Sequence, residues 1–322
     1  MKRRDFITKS VGVGLVAGTG LALGTTNELF ASTTSSSEKS GLSGNGNVTA
    51  KVGKYDLVAV MGGEPEDMFD KAIASLGGME KYVKKGQKVV VKPNIGWDVI
   101  PERAANTNPK LVKRIIEHCF KAGAKEVVVF DFTCDNWQKT YKNSGIEAAV
   151  KEAGGQIAPG NNESSYKPVT VAKGKKLKEA KEHELILNAD VFINVPILKN
   201  HQGSTLSISM KNLMGIVWDR GFWHRTDLHQ FIADYATYRK PDLNIVDAYR
   251  VMKKNGPKGV SEADVVLMKS LIISEDIVAA DAAAAKLFGL EPKSIDYIRI
   301  AHEMGVGRMD IDKLNINRIK IA

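Results

Sequence analysis

The sequence predicts an α/β fold, a largely parallel or mixed sheet with helices on both faces, built as one large domain or two lobes. Three observations predict it. Six short runs rich in Val and Ile are apolar on consecutive positions, as strands buried on both faces are. Helical patterns alternate with those runs, the order of a sheet wound with crossover helices. The chain has 322 residues, 43% apolar and 26% charged, which is globular composition with enough length for a sizeable core.

The N-terminus stands outside this pattern. "MKRRDFITKS" pairs Arg3 with Arg4, then places Phe6 and Ile7, and a weakly apolar, glycine-bearing run follows. A positive start, a short apolar stretch and a small-residue exit make a secretory signal. Paired arginines before an apolar pair resemble a twin-arginine signal. Residues 1–31 are read as that signal, which implies the twin-arginine translocase as a partner and a periplasmic destination. Residues 32–54 are rich in Ser, Gly, Asn and Thr and read as a flexible linker. The α/β domain is therefore expected over 55–322, with everything before Tyr55 outside it. No apolar run reaches the roughly 18–20 residues of a simple bilayer span, so no stable membrane span is expected in the mature chain.

The elements then follow in order. "YDLVAVM" reads as the first strand, and "EDMFDKAIASLG" sets Met68, Ala72 and Leu76 at four-residue steps of a helix. After the strand "QKVVVKPN" comes "NPKLVKRIIEHCFKAG", a helix with Asn108 as N-cap, Pro109 in its first turn and Gly123 as its stop. "KEVVVFDF" is a strand and "GIEAAVKEAGG" a short helix ending on glycines. "ADVFINVP" is a buried strand. Beyond it "TLSISMKNLMG" is open: "LSISM" alternates like a strand, whereas Leu206, Met210 and Leu213 fit a helix. "TDLHQFIADYATYR" is a helix capped by Thr226, with Leu228, Phe231, Ile232 and Tyr235 on one face. "LNIVDAY" and "KSLIISED" are strands, and the alanine-rich "EDIVAADAAAAKLFGL" is a helix ending at Gly289.

The formal charge is +9, and the segment 1–31 holds four of the cations and two of the carboxylates, so the remainder stays near +7. Much of the excess sits in "VAKGKKLKEAKEHE", which reads as a solvated loop or edge hairpin. No aromatic interleaving or known module accompanies these lysines, which argues against nucleic acid. The glycines form neither a dinucleotide nor a phosphate-loop fingerprint. Cys119 and Cys134 are too few for an iron–sulfur cluster, which needs about four ligands. They read as unpaired, mostly buried thiols. No intrinsic cluster is expected, and a bound metal stays open.

Ligands of open α/β sheets bind outside the carboxyl ends of the strands. There the chain places Lys92 and Asn94, then Asp131, and then Lys199 and His201 with Ser204 and Thr205 close behind. Lys211 and Asn212 follow, and Asp247 and Asp281 come later. Lysine is rarely buried without a partner. If Lys92, Lys199 and Lys211 converge, they form an electropositive pocket for an anionic small molecule. His201 and Lys199 are the candidate catalytic residues. Lys92, Asn94, Ser204, Thr205, Lys211 and Asn212 are candidate ligand contacts, and Asp247 and Asp281 are candidate partners of the lysines or ligands of a cation.

At these residues the chain resembles family 362 of the domains of unknown function. The resemblance is carried by "KPNIG", "TNPKLVKRIIEHCFKAGAKEVVVFD", "INVPILKNHQGSTLSISMKNLMG", "NIVDAYRVMKKNGPKG" and "VAADAAAAKLFGLEP", between about Val89 and Gly307. Many members carry a ferredoxin-like cysteine segment beside this domain, and this chain departs from them there. The resemblance implies a domain and not a chemistry. Two classes of function remain. One is an exported enzyme, redox or isomerising, acting on an anionic small molecule. The other is a non-catalytic ligand-binding or maturation protein serving a periplasmic redox partner.

Overall fold

The computed structural model describes residues 28–30 and 55–322. The segments read as signal and linker lie outside these residues, except Glu28–Phe30. That segment forms a short 3-10 turn.

The first strand β1 (Leu57–Met61) leads into α1 (Pro65–Ser75), β2 (Lys88–Pro93), α2 (Pro109–Lys121) and β3 (Glu126–Val129). Next come α3 (Trp137–Asn143), α4 (Ile146–Glu152), β4 (Gln156–Ile157), the hairpin β5 (Tyr166–Thr170) and β6 (Glu179–His183), and α5 (Glu184–Leu187). The central segment is β7 (Val191–Val195), β8 (Ile197–His201), β9 (Thr205–Ser207), α6 (Ser209–Asn212), α7 (Arg220–Thr226) and α8 (Leu228–Tyr238). Then β10 (Leu243–Met252), β11 (Val265–Ser274), α9 (Ile277–Phe288), α10 (Asp296–Glu303) and β12 (Ile316–Lys320) complete the chain.

Ten strands form one mixed sheet, whose main path is β12-β1-β11-β10-β7-β2-β3-β4, with β8 and β9 attached beside β10. The run from β10 through β7, β2 and β3 to β4 is parallel, and β11 enters antiparallel between β1 and β10. Six of these strands are the apolar runs read from the sequence; β4, β8, β9 and β12 are additions, and β12 pairs in parallel with β1. Single strands feed two cores. Val58 and Val60 pack on the face covered by α1 and α2, and Leu57 and Ala59 on the face covered by α9. Both faces are apolar because both are covered by helices.

The helix signals act as expected at most termini. The Asn108 side chain accepts from Lys110 N at 3.0 Å, and Pro109 opens α2, where a missing N–H costs nothing. Gly289 ends α9 at φ 93°, a left-handed position that suits glycine. One cap differs: α8 is capped by Asp227, not Thr226, because Thr226 is the last residue of α7. The open segment resolves into both states in turn. Strand β9 carries "TLS" and α6 follows at once.

One expectation needs correction. Leu29 and Phe30, placed outside the fold by the sequence reading, are buried in the core against α9, and Arg318 Nε donates to Leu29 O at 2.6 Å.

Candidate anion pocket and its lysines

The site arises where parallel neighbours part. Strand β7 runs beside β2 up to the pair Pro93 and Val195. At Pro196 the chain leaves β2 and continues as β8 along the second half of the long strand β10. The gap between the ends of β2 and β3 and the start of β8 is the crevice that open α/β sheets use for ligands. A cavity of about 310 Å³ lies there, lined among others by Lys92, Asn94, Asp131, Cys134, Lys199 and His201. Lys211, Asn212, Arg220 and His224 close it from α6 and α7.

The three lysines therefore do converge, each in a different setting. Lys92 is 1% exposed, pairs with Asp131 Oδ1 at 3.0 Å and donates to Asn212 Oδ1 at 2.7 Å. Burial draws its ammonium down, and the Asp131 charge opposes that shift. Lys199 donates to Ala105 O at 2.5 Å and to Asn94 Oδ1 at 3.1 Å. Lys211 has no hydrogen-bond or ion-pair partner among the described residues. Burial pushes Lys199 and Lys211 down to about 7, chiefly through lost hydration, with neighbouring cations adding to it.

An amide chain holds the floor. Asn194 Nδ2 donates to Asn244 Oδ1 at 3.0 Å, Asn212 Nδ2 donates to Asn194 Oδ1 at 2.9 Å, and Asn94 Nδ2 donates to Asn212 Oδ1 at 3.1 Å. This chain links β10, β7, α6 and the end of β2, so the lysines sit on a rigid support. Gly215 is required beside it. A Cβ there would lie 1.9 Å from Asp131 Oδ1 and 2.5 Å from Lys92 Nζ. Asp131, two residues past β3, is tied down as well, with Ile95 N donating to its Oδ2 at 2.7 Å.

His201 is a neutral donor in this setting. Its Nδ1 accepts from Gly203 N at 3.0 Å and Ser204 N at 3.2 Å, which leaves the ring proton on Nε2. Burial, then Lys211 and Lys199, holds it far below the ordinary histidine range. It can donate to an anion but is not poised as an acid charged at neutral pH. His224 stacks near it at 5.9 Å between ring centroids, and burial lowers it to about 4.

Several expected contacts are not brought to the pocket. Asp247 is buried elsewhere, where Oδ2 accepts from Asn108 N at 2.7 Å and Oδ1 from Tyr249 N at 3.0 Å. Asp281 accepts from Ser209 N at 2.6 Å and Met210 N at 3.0 Å, capping α6 from inside α9. Burial raises these two carboxyls to about 6 and about 7. Neither pairs with a lysine, because backbone N–H groups already use their oxygens. Ser204 turns its hydroxyl to Leu206 O at 3.0 Å, and Thr205 is exposed as the first residue of β9, at φ 65°. Ser207, on the same strand as Thr205, does line the cavity.

Four titratable lining residues, Asp131, Cys134, Arg220 and His224, lay outside the candidate contacts named from the sequence. Asp131 stands at a strand end and was legible as such, but not as the partner of Lys92. Cys134 is exposed, against the expectation of burial, and both cysteines are free. Arg220 donates to Phe132 O and, at 2.6 Å, to Thr133 O, and its guanidinium lies 4.0 Å over the Phe132 ring. Arg220 and His224 share the short helix α7, and an i, i+4 pair of cationic types was the available signal. Among the described residues no group of three or more His, Cys, Asp or Glu is placed to hold a metal ion, and no helix is long and apolar enough to cross a membrane.

Comparison with known families decides the relationship. The family model for the Domain of unknown function (DUF362) matches residues 89–286, more than half of the chain. The chain belongs to this family. All the lysines of the cavity, its amide chain from Asn94 to Asn244, and the capping Asp281 fall inside the matched span. This DUF362 protein is also similar to thylakoid-associated protein sll1697 of Synechocystis sp., at 27% identity over 247 residues, 72% of each chain. Among solved structures it is similar to the lactate racemase apoprotein of Thermoanaerobacterium thermosaccharolyticum, at 14% identity and a TM-score of 0.40 over 66% of this chain and 53% of that one. A Thermotoga maritima protein from a structural-genomics consortium gives 11% identity and a TM-score of 0.43 over 75% of this chain and 60% of that one. The DUF362 chain thus spans between half and two thirds of the length of those two structures.

Proposed function

We propose that this DUF362 protein binds an anionic small molecule between β2, β8 and α6, and that it is exported to the periplasm to do so. One observation carries the binding reading. The cavity is lined by four basic side chains, Lys92, Lys199, Lys211 and Arg220, against one carboxylate, Asp131, which already pairs with Lys92. Like charges gathered in a desolvated crevice are costly, and a bound anion relieves that cost. The volume suits a small ligand, at the low end of ordinary binding pockets. The donors are varied: ammonium groups, a guanidinium, and the Nε2–H of a neutral imidazole.

Phosphate, citrate or small carboxylates are expected to raise the melting temperature beyond chloride at equal ionic strength. A ligand that binds the native state alone stabilises it by about 2.7 kcal/mol at a hundredfold excess over its dissociation constant. Lys199→Ala should abolish the difference between these anions and chloride. Lys175→Ala should leave it intact, because Lys175 is exposed in the β5–β6 loop and does not line the cavity. Equal responses from the two variants would remove the pocket reading.

The export reading rests on the paired Arg3 and Arg4 and the short apolar run behind them. Arg3→Lys combined with Arg4→Lys preserves charge and is expected to leave the precursor in the cytoplasm. Normal recovery of that variant from the periplasm would exclude the twin-arginine route.

A further inference from the structure

Among the described residues, one lysine of the cavity has no hydrogen-bond or ion-pair partner, and its chemistry differs from that of the others. Lys92 is committed to Asp131 and Asn212, and Lys199 to Ala105 O and Asn94. Arg220 is committed to two backbone carbonyls and cannot lose its proton. Lys211 stands on α6, whose start is held by Asp281, and its residue surface is only partly exposed while it lines the cavity. No described residue directs its amine, yet the helix that carries it is anchored at Ser209 and Met210 by a buried carboxylate and at Asn212 by the amide chain. That is the arrangement of a positioned nucleophile and not of a structural cation.

We propose, building on the anion-binding reading, that Lys211 is an amine nucleophile and that the ligand class is a small carboxylate bearing an aldehyde or ketone, such as a 2-oxo acid. The division of labour follows from the contacts. Lys92, Lys199, Arg220 and the Nε2–H of His201 offer the charge and donors that hold the carboxylate, leaving Lys211 free for the carbonyl. The Lys211 Nζ lone pair adds to the carbonyl carbon, forming a C–N bond, and the proton given up by the nitrogen passes to the carbonyl oxygen, leaving a neutral carbinolamine. A proton from solvent then lets the oxygen leave as water while the nitrogen lone pair forms the C=N bond, giving a protonated Schiff base. No electrons are transferred, and no co-reactant is needed. A lysine must be neutral to do this. Burial beside Lys92 and Arg220 brings Lys211 to about 7, whereas a solvated lysine holds only roughly one part in a few thousand as free amine at neutral pH.

Cys134 is the competing nucleophile, since its thiol also lines the cavity. Reductive trapping separates the two, because a thiol adduct of a carbonyl carries no C=N bond for borohydride to reduce. The full chain is incubated with pyruvate or with glyoxylate, treated with sodium borohydride, and mapped by peptide mass spectrometry. The expected result is a reduced adduct at Lys211 exceeding that at any exposed lysine by at least about tenfold, in line with its larger free-amine fraction. Cys134→Ala should keep the adduct. Lys211→Arg should lose it while still unfolding cooperatively, because a guanidinium keeps its proton and does not add to a carbonyl. An adduct spread over surface lysines, or placed on Lys199 alone, would overturn the assignment. Pyruvate that raises the melting temperature without any adduct would also overturn it, and would leave a binding protein in its place. If neither phosphate nor pyruvate shifts the melting temperature and no adduct forms, the anion reading fails together with the nucleophile.

Discussion

Asp131→Ala is expected to cost about 3–5 kcal/mol of stability, the range for removing one partner of a buried ion pair. Asp131 and Lys92 are 2% and 1% exposed and meet at 3.0 Å beneath Gly215. Without the carboxylate, Lys92 keeps only its bond to Asn212, and its ammonium loses the charge that opposes desolvation. Ile95 N loses its acceptor in the same step. Urea unfolding of the wild type and the variant measures the difference. Combining Lys92→Met with Asp131→Ala should restore part of the loss, since the buried charge is then gone while Ile95 N stays unpaired. A single-variant loss below about 1 kcal/mol would mean that the pair is solvated like a surface pair.

Asp281→Ala is the second large effect, and it joins stability to binding. Its carboxylate is fully buried within α9 and accepts from two backbone N–H groups at the start of α6. Leaving two buried donors unpaired costs about 1–3 kcal/mol each. The consequence reaches the pocket because α6 carries Lys211 and Asn212. The melting temperature should fall by several degrees, and the extra stabilisation by phosphate over chloride should shrink with it. Asp281→Asn keeps one acceptor oxygen and should fall between the two. If Asp281→Ala lowers the melting temperature yet keeps the whole phosphate response, α6 does not depend on this cap for its position.

Much of the fold is legible in the residues. The Val/Ile runs of β1, β2, β3, β7, β10 and β11 are apolar on consecutive positions because helices cover both faces of the sheet, and that signal lies within each run. The α2 start is similarly local, with Asn108 and Pro109 adjacent to the groups they satisfy. The lysines of the pocket were also visible, because Lys92 and Lys199 close apolar strands where a cation is unusual. Strand β12 was not legible. Its run "INRIK" alternates with polar residues, and only pairing with β1 at the sheet edge gives it a role.

By itself the sequence determined the α/β class, the order of the main strands and helices, and which cations stand at strand ends. Each of these is written within a few consecutive residues as a periodicity, a cap or a break in an apolar run. The tertiary structure decided which charges meet. The register of β2 on β3, with Val91 opposite Val129, carries Lys92 to Asp131 nearly forty residues later in the chain. The departure of β8 from β2 at Pro196 opens the cavity, and α7 adds Arg220 and His224. Asp247 and Asp281, equally acidic in the sequence, are taken by backbone N–H groups because the loop at Asn108 and the start of α6 reach them first. Electrostatic partnership depends on distances of a few ångströms between segments far apart in the chain, and only packing sets those distances.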